Sequence, residues 1–89
     1  QLICSNNPIT SIDLSKFPIL EELTINTTGI SELDVSQNPD LRVIIVNSNN
    51  QLTSLDFSNN AYLLIVECNY NPQLTSINLN NNNNEYAKL

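Results

Sequence analysis

Histidine is absent from this 89-residue chain, glycine occurs once, at Gly29, and lysine and arginine together number three. Each shortage argues against a class of function. Without an imidazole no side chain with an ordinary pKa near neutrality can serve as a general base, and the commonest metal ligand is missing. With a single glycine there is no glycine-rich loop to cradle a phosphate. Lys16, Arg42 and Lys88 are scattered and oppose nine Asp and Glu, for a net charge of -6. That balance argues against nucleic acid or an anionic membrane as partner and favours a basic or Ca2+-bearing one. No run approaches the roughly 18 apolar residues of a membrane span, so direct membrane insertion is not expected. No positively charged leader stands before an apolar stretch at the N-terminus. The sequence reads as that of a soluble chain, with any export signal removed or lying outside it.

What the chain has is a repeat. Ile9, Ile30, Leu52 and Leu74 open the related phrases ITSIDLS, ISELDVS, LTSLDFS and LTSINLN, at separations of 21, 22 and 22 residues. Between them a second phrase recurs as LEELTIN, LRVIIVN and LLIVECN, so each period carries two LxxLxL segments. One period is one turn of a solenoid, and stacked turns bury a continuous core that a compact globule of this size would lack. The single domain, residues 1–89, divides into a partial repeat at 1–8, repeats at about 9–29, 30–51 and 52–73, and a partial repeat at 74–89.

Strand side chains alternate faces, which sorts the residues. The first inward family is Ile9, Ile12, Leu14; Ile30, Leu33, Val35; Leu52, Leu55, Phe57; and Leu74, Ile77, Leu79. The second is Leu20, Leu23, Ile25; Leu41, Ile44, Val46; and Leu63, Val66, Cys68, with Leu2 and Cys4 left from an earlier copy. Asn, Pro and Asp between the segments interrupt any helical pattern. Asparagine is abundant where glycine is scarce, and it is expected to make the corners, because it tolerates left-handed backbone and bonds its own backbone neighbours. The first part of the Asn80 to Asn84 run is read as the corner of the last turn. Two inward polar columns are expected to be structural ladders with every amide paired: Asn7, Thr28, Asn49 and Asn71, and Phe17 followed by Asn38, Asn60 and Asn82.

The phrases LDVSQNPDL, LTSLDFSNN and VECNYN resemble the leucine-rich repeats of bacterial surface proteins, especially the internalin-like group that places Cys within an LxCxxN strand. The resemblance spans about residues 2–82. Cys4 and Cys68 keep the sulfur, Ile25 and Val46 replace it in the turns between, and Thr28 stands where Asn is expected. The resemblance implies a β-rich, right-handed leucine-rich-repeat solenoid of about four turns, with little or no α-helix and a parallel sheet on its concave side. It also implies a secreted or cell-surface bacterial protein whose concave face recognises a host or cell-surface protein ligand.

The chemistry-bearing residues read mostly as structure. Cys4 and Cys68 occupy equivalent positions three turns apart, roughly 14 Å at the usual strand spacing, too far for a disulfide. They are expected to be free, interior thiols. Asp13, Asp34 and Asp56 form a column whose mutual repulsion calls for compensation by Ca2+ or by Ser15, Ser36 and Ser58. Too few oxygens converge on a straight column for calcium to be the favoured reading. Glu22 and Glu67 fall two turns apart, roughly 10 Å on an open sheet, a poor match to the paired carboxyls of a glycosidase. No enzyme activity and no cofactor are expected.

The outward positions of the second segments remain. Val43, Ile45 and Ile65 make an apolar patch where a solvated sheet would be polar, and with Glu22, Thr24 and Glu67 they are the candidate ligand-binding residues. The competing reading is that β-branched residues suit strands, or that a neighbouring segment or a second copy covers them. Neither end of the chain shows a recognisable cap, so the residues are read as excised from, or a naturally small version of, a longer repeat array, and end-to-end self-association is a further expectation. The function read from the sequence is a non-catalytic protein-binding or adhesion scaffold. The alternative is a structural spacer or an accessory module of a larger surface protein or enzyme.

Overall fold

The computed structural model describes residues 1–79 and the backbone of residues 86–88. The strands in chain order are β1 (Leu2–Ser5), β2 (Glu22–Asn26), β3 (Val43–Asn47), β4 (Ser54–Asp56), β5 (Ile65–Glu67), β6 (Ser76–Asn78) and β7 (Tyr86–Lys88). A single turn of 3-10 helix lies at Leu14–Lys16. Five strands form one parallel sheet in the order β1-β2-β3-β5-β7, and β4 pairs with β6 in a second, two-stranded parallel sheet. The chain is a parallel β-solenoid of about four turns. Leu23 pairs with Leu2 and Ile44, and Ile25 with Cys4 and Val46, so each turn is laid on the last in the register that the repeat spacing dictates.

The alternating phrase produces alternating burial. In β3, Ile44 and Val46 are buried between half-buried Val43, Ile45 and Asn47. Every residue of the two inward families joins one core, with Phe57, Leu14, Leu23 and Ile25 among the largest fully buried side chains. Leu2, Cys4, Ile9, Ile12, Leu74, Ile77 and Leu79, toward the two ends of the stack, are only partly buried. Both cysteines are free, as their separation requires. Burial, and then neighbouring Glu67, pushes the Cys68 thiol up to about 11.

One side is less regular than the phrase suggests. The first-family segment forms a strand at β4 and β6, whereas in the first turn Leu14–Lys16 winds into a 3-10 turn. Asp13 caps that turn by accepting the Ser15 amide. The following corner is built the same way three times. Phe17, Asn38 and Asn60 each donate the backbone N–H to the residue three back, and each carbonyl accepts from the residue three on, Leu20, Leu41 and Leu63. Pro18 and Pro39 fill the second position of two of these turns, where a fixed φ suits them.

Asparagine side chains then stitch turn to turn. The Asn38 amide donates to the Leu14 and Phe17 carbonyls, both at 2.9 Å, and the Asn60 amide to the Val35 and Asn38 carbonyls at 3.0 and 2.9 Å. Each member is thus paired through its NH2 group, while the buried Oδ1 atoms of Asn38 and Asn60 have no hydrogen-bond partner. Each Nδ2 satisfies two carbonyls of the buried corner, and the Oδ1 at the other end of the amide is the atom left over. In the other column Asn49 is fully paired, whereas Asn7 is exposed. Asn82, the rest of the Asn80 to Asn84 run, and Leu89 lie outside the described residues.

The expectation that asparagine supplies the left-handed backbone is corrected by the structure. Among the described residues those of positive φ are Asn6 (53°), Thr27 (57°), Ser48 (60°) and Tyr70 (59°), one per turn, at the exit side of a sheet strand. Only one of them is asparagine. Hydrogen bonding to the next turn holds the geometry instead: the Asn6, Thr27 and Ser48 amides donate to the Asn26, Asn47 and Asn69 carbonyls at 2.9–3.0 Å. A β-branched residue in this region is strained. Thr27→Asn is therefore expected to stabilise the chain by roughly 0.5–1 kcal/mol, read as a higher urea midpoint at unchanged slope.

Candidate binding face

The outward face of the five-stranded sheet gathers the residues singled out from the sequence. Register places Glu22, Val43 and Ile65 in one row across β2, β3 and β5, and Thr24, Ile45 and Glu67 in the next. Val43 and Ile65, and Ile45 and Glu67, are thus neighbours across a strand spacing of about 4.8 Å. Ile3 extends the second row onto β1. The backbone of β7 continues both rows, setting Tyr86 against Ile65 and Lys88 against Glu67.

Two features of this face were not read from the sequence. The first is a bulge repeated at the strand entrances. The Glu21 carbonyl accepts from both the Arg42 and Val43 amides, at 2.8 and 3.1 Å, and the Arg42 carbonyl from both Leu64 and Ile65, at 2.7 and 3.1 Å. Two successive residues of one turn therefore meet a single residue of the turn before, which breaks strict alternation. Arg42 and Leu64 accordingly stand beside Val43 and Ile65 as a further row. With Glu21, Asp40 and Tyr62 they line a groove of about 570 Å3 at the entrance edge. The signal was present in the phrase, since LxxL leaves two adjacent residues between inward ones.

The second is the hydrogen bonding of Asn26, Asn47 and Asn69, which alternation places outward and which form a third asparagine column at the exit edge. The Asn26 Oδ1 accepts the Asn47 amide at 2.9 Å, and the Asn47 Oδ1 accepts the Asn69 amide at 2.7 Å. The Nδ2 atoms of Asn47 and Asn69 both donate to Glu67 Oε1, each at 3.2 Å. Glu67 is thereby held in place beside Ile45 and Ile65, on the face that also carries Glu22 and Thr24. The recurrence of N at the end of LTIN, IIVN and VECN is the clue that could have found this bonding.

The Asp column has a different surrounding. Asp13, Asp34 and Asp56 each accept the backbone N–H of the serine two residues on, at 3.1, 2.9 and 2.9 Å, and Ser15 and Ser36 add their hydroxyls to the same Oδ1. Among the described residues no three His, Cys, Asp or Glu side chains cluster. Serine hydroxyl and amide donors hold Asp13 and Asp34 below the usual carboxylate range, and for Asp56 the Ser58 amide is the leading cause. A depressed folded-state pKa gives stability that is present above the unfolded value of 3.8 and lost as pH falls through the folded value. Replacing all three by Asn is thus expected to lower the thermal midpoint at pH 7, with the gap to the parent closing below pH 3.8. A gap that persists unchanged in acid contradicts this.

Rows of inward leucines, asparagine-stitched corners and a parallel sheet on one side define a leucine-rich-repeat solenoid. Its architecture is similar to the functional domain of InlJ from Listeria monocytogenes, a structure that includes a cysteine ladder, with a TM-score of 0.73 and 28% sequence identity. That similarity covers 97% of this chain and 21% of that one, so the chain spans about a fifth of the structure it matches. In this chain one inward column carries Cys4 and Cys68 with Ile25 and Val46 between them. No family model and no curated protein matches the sequence. Among the described residues no helix is long and apolar enough to cross a membrane.

Proposed function

We propose that this chain is a non-catalytic protein-binding or adhesion scaffold from a secreted or cell-surface bacterial protein, with its ligand on the outward face of the five-stranded sheet. The observation that carries the reading is the adjacency of Val43, Ile45 and Ile65 on that face, an apolar patch on a rigid, hydrogen-bonded support. Glu22, Thr24 and Glu67 supply its polar margin. The likeness to an internalin functional domain supports a surface location and a protein ligand. Fold alone does not fix function, so the weight rests on the patch.

A spacer or accessory module would present the same fold without using this face. The two readings part on a triple variant, Val43, Ile45 and Ile65 each to Ser, immobilised on beads and offered to host-cell and bacterial surfaces. Loss of retention relative to the parent, at unchanged thermal midpoint, is the expected result. Equal retention of parent and variant favours the spacer.

A further inference from the structure

Exposed apolar side chains are not spread evenly over the turns. The turn that contains β5 displays Tyr62 (67% exposed), Leu64 (40%), Ile65 (42%) and Tyr70 (82%), more than any other described turn. Tyr70 is also one of the residues at positive φ, where a bulky side chain is strained, and at 82% exposure it gains no burial in return. The fold has no use for a tyrosine there, since Asn6 and Ser48 occupy the same place in other turns. Tyrosine is among the side chains that protein-binding hot spots favour, and these two stand at the entrance side, beside Arg42 and Leu64, and at the exit side, beside Asn71 and Leu74.

Charge points to what the occupant must be. Between the two tyrosines stands Glu67, its Oε1 pinned by Asn47 and Asn69. One carboxylate oxygen is committed to the asparagine column, where neutral amides meet the charge, and on the other side register sets the Lys88 backbone of β7 opposite. Ile45 and Ile65 flank it, so water is partly displaced from around a negative charge, and a cation that arrives with its own aliphatic stem satisfies both. The entrance edge repeats the sign, with Glu21 and Asp40 beside Arg42, and the chain as a whole carries -6.

We infer that the β5 turn is the centre of the binding face, and that it takes a protein segment presenting a lysine or arginine flanked by apolar residues, the cation seated on Glu67 and the apolar neighbours on Ile45, Ile65 and the flanking tyrosines. This rests on the sheet face being the binding surface, and it specifies the partner's chemistry.

The test uses the whole chain, 15N-labelled, titrated with a short serine-rich peptide carrying one arginine between two leucines, and with the same peptide carrying glutamate instead. The arginine peptide is expected to shift the amides of Ile45, Ile65, Glu67 and Tyr70 saturably, and to bind more weakly as salt rises. Glu67→Gln keeps an acceptor for Asn47 and Asn69 but removes the charge, and is expected to weaken binding about fivefold at unchanged thermal midpoint. Tyr70→Ser, which is compatible with the fold, is expected to weaken it as well. If shifts stay on these residues but the glutamate peptide binds equally, or Glu67→Gln has no effect, the partner chemistry is wrong and the binding face stands. Shifts on the Asp34 and Asp56 side, or no saturable shift with either peptide, overturn both.

Discussion

Asn49→Leu is expected to cost about 3–5 kcal/mol, a large part of the 5–15 kcal/mol that a domain of this size has in total. The Asn49 side chain is fully buried. Its Oδ1 accepts from the Thr28 amide at 3.0 Å and the Thr28 hydroxyl at 2.6 Å, and its Nδ2 donates to the Ile25 and Asn47 carbonyls at 2.9 and 3.1 Å. Leucine matches the size but leaves these groups without partners in a dry corner, and each buried orphan costs about 1–3 kcal/mol. Asn60→Leu is the informative control. Asn60 is as deeply buried, yet it makes two bonds through Nδ2 and its Oδ1 is already unpartnered, so its replacement should cost distinctly less. Urea unfolding of both variants checks the ranking. Equal costs would mean that size and burial matter at these corners and hydrogen bonding does not.

Phe57→Ala should be comparably severe, about 3–5 kcal/mol, by a different mechanism. Phe57 heads the largest fully buried side chains, and it sits where Leu14 and Val35 sit in other turns. Truncation leaves a cavity in a core that runs the length of the stack, with buried neighbours held in register by strand pairing and unable to close in. Phe57→Leu, which copies Leu14, should cost no more than about 1.5 kcal/mol. For a chain of this length each kcal/mol lowers the thermal midpoint by roughly 4–8 °C, so calorimetry separates the two variants easily. Similar midpoints for them would show that the third turn packs loosely.

The core was legible because its rule is local. Apolar residues at LxxLxL spacing can be buried on one side only, and the period of 21 or 22 residues returns them to the same column, where Leu23, Ile44 and Val66 lie. The free cysteines followed from the same count. What was not legible depends on contacts between turns. Thr27 and Ser48 adopt left-handed backbone because the next turn offers a carbonyl there, whatever their own preference, and Tyr70 shares that conformation. Residue preference therefore pointed to asparagine and missed three positions out of four.

The candidate site shows the same division. Glu22, Thr24, Val43, Ile45, Ile65 and Glu67 were placed on one face by alternation and lie there. Alternation also hid part of it. Arg42 and Leu64 join the face through bulges set by shared carbonyls, and Tyr62 and Tyr70 lie beyond the strand ends, where no periodic rule applies. The pinning of Glu67 depended on recognising the column Asn26, Asn47 and Asn69 as a hydrogen-bonded series.

The central claim is that the outward face of the five-stranded sheet is where a partner sits. Hydroxyl-radical labelling of side chains, with the chain free in solution and again while retained on a cell surface, tests it most directly. Tyr62, Leu64, Ile65 and Tyr70 are exposed in the free chain and should lose reactivity on retention, while Phe17 and Ile19, exposed at the first corner, should keep theirs. Loss at Phe17 and Ile19 with Ile65 unchanged would contradict the account.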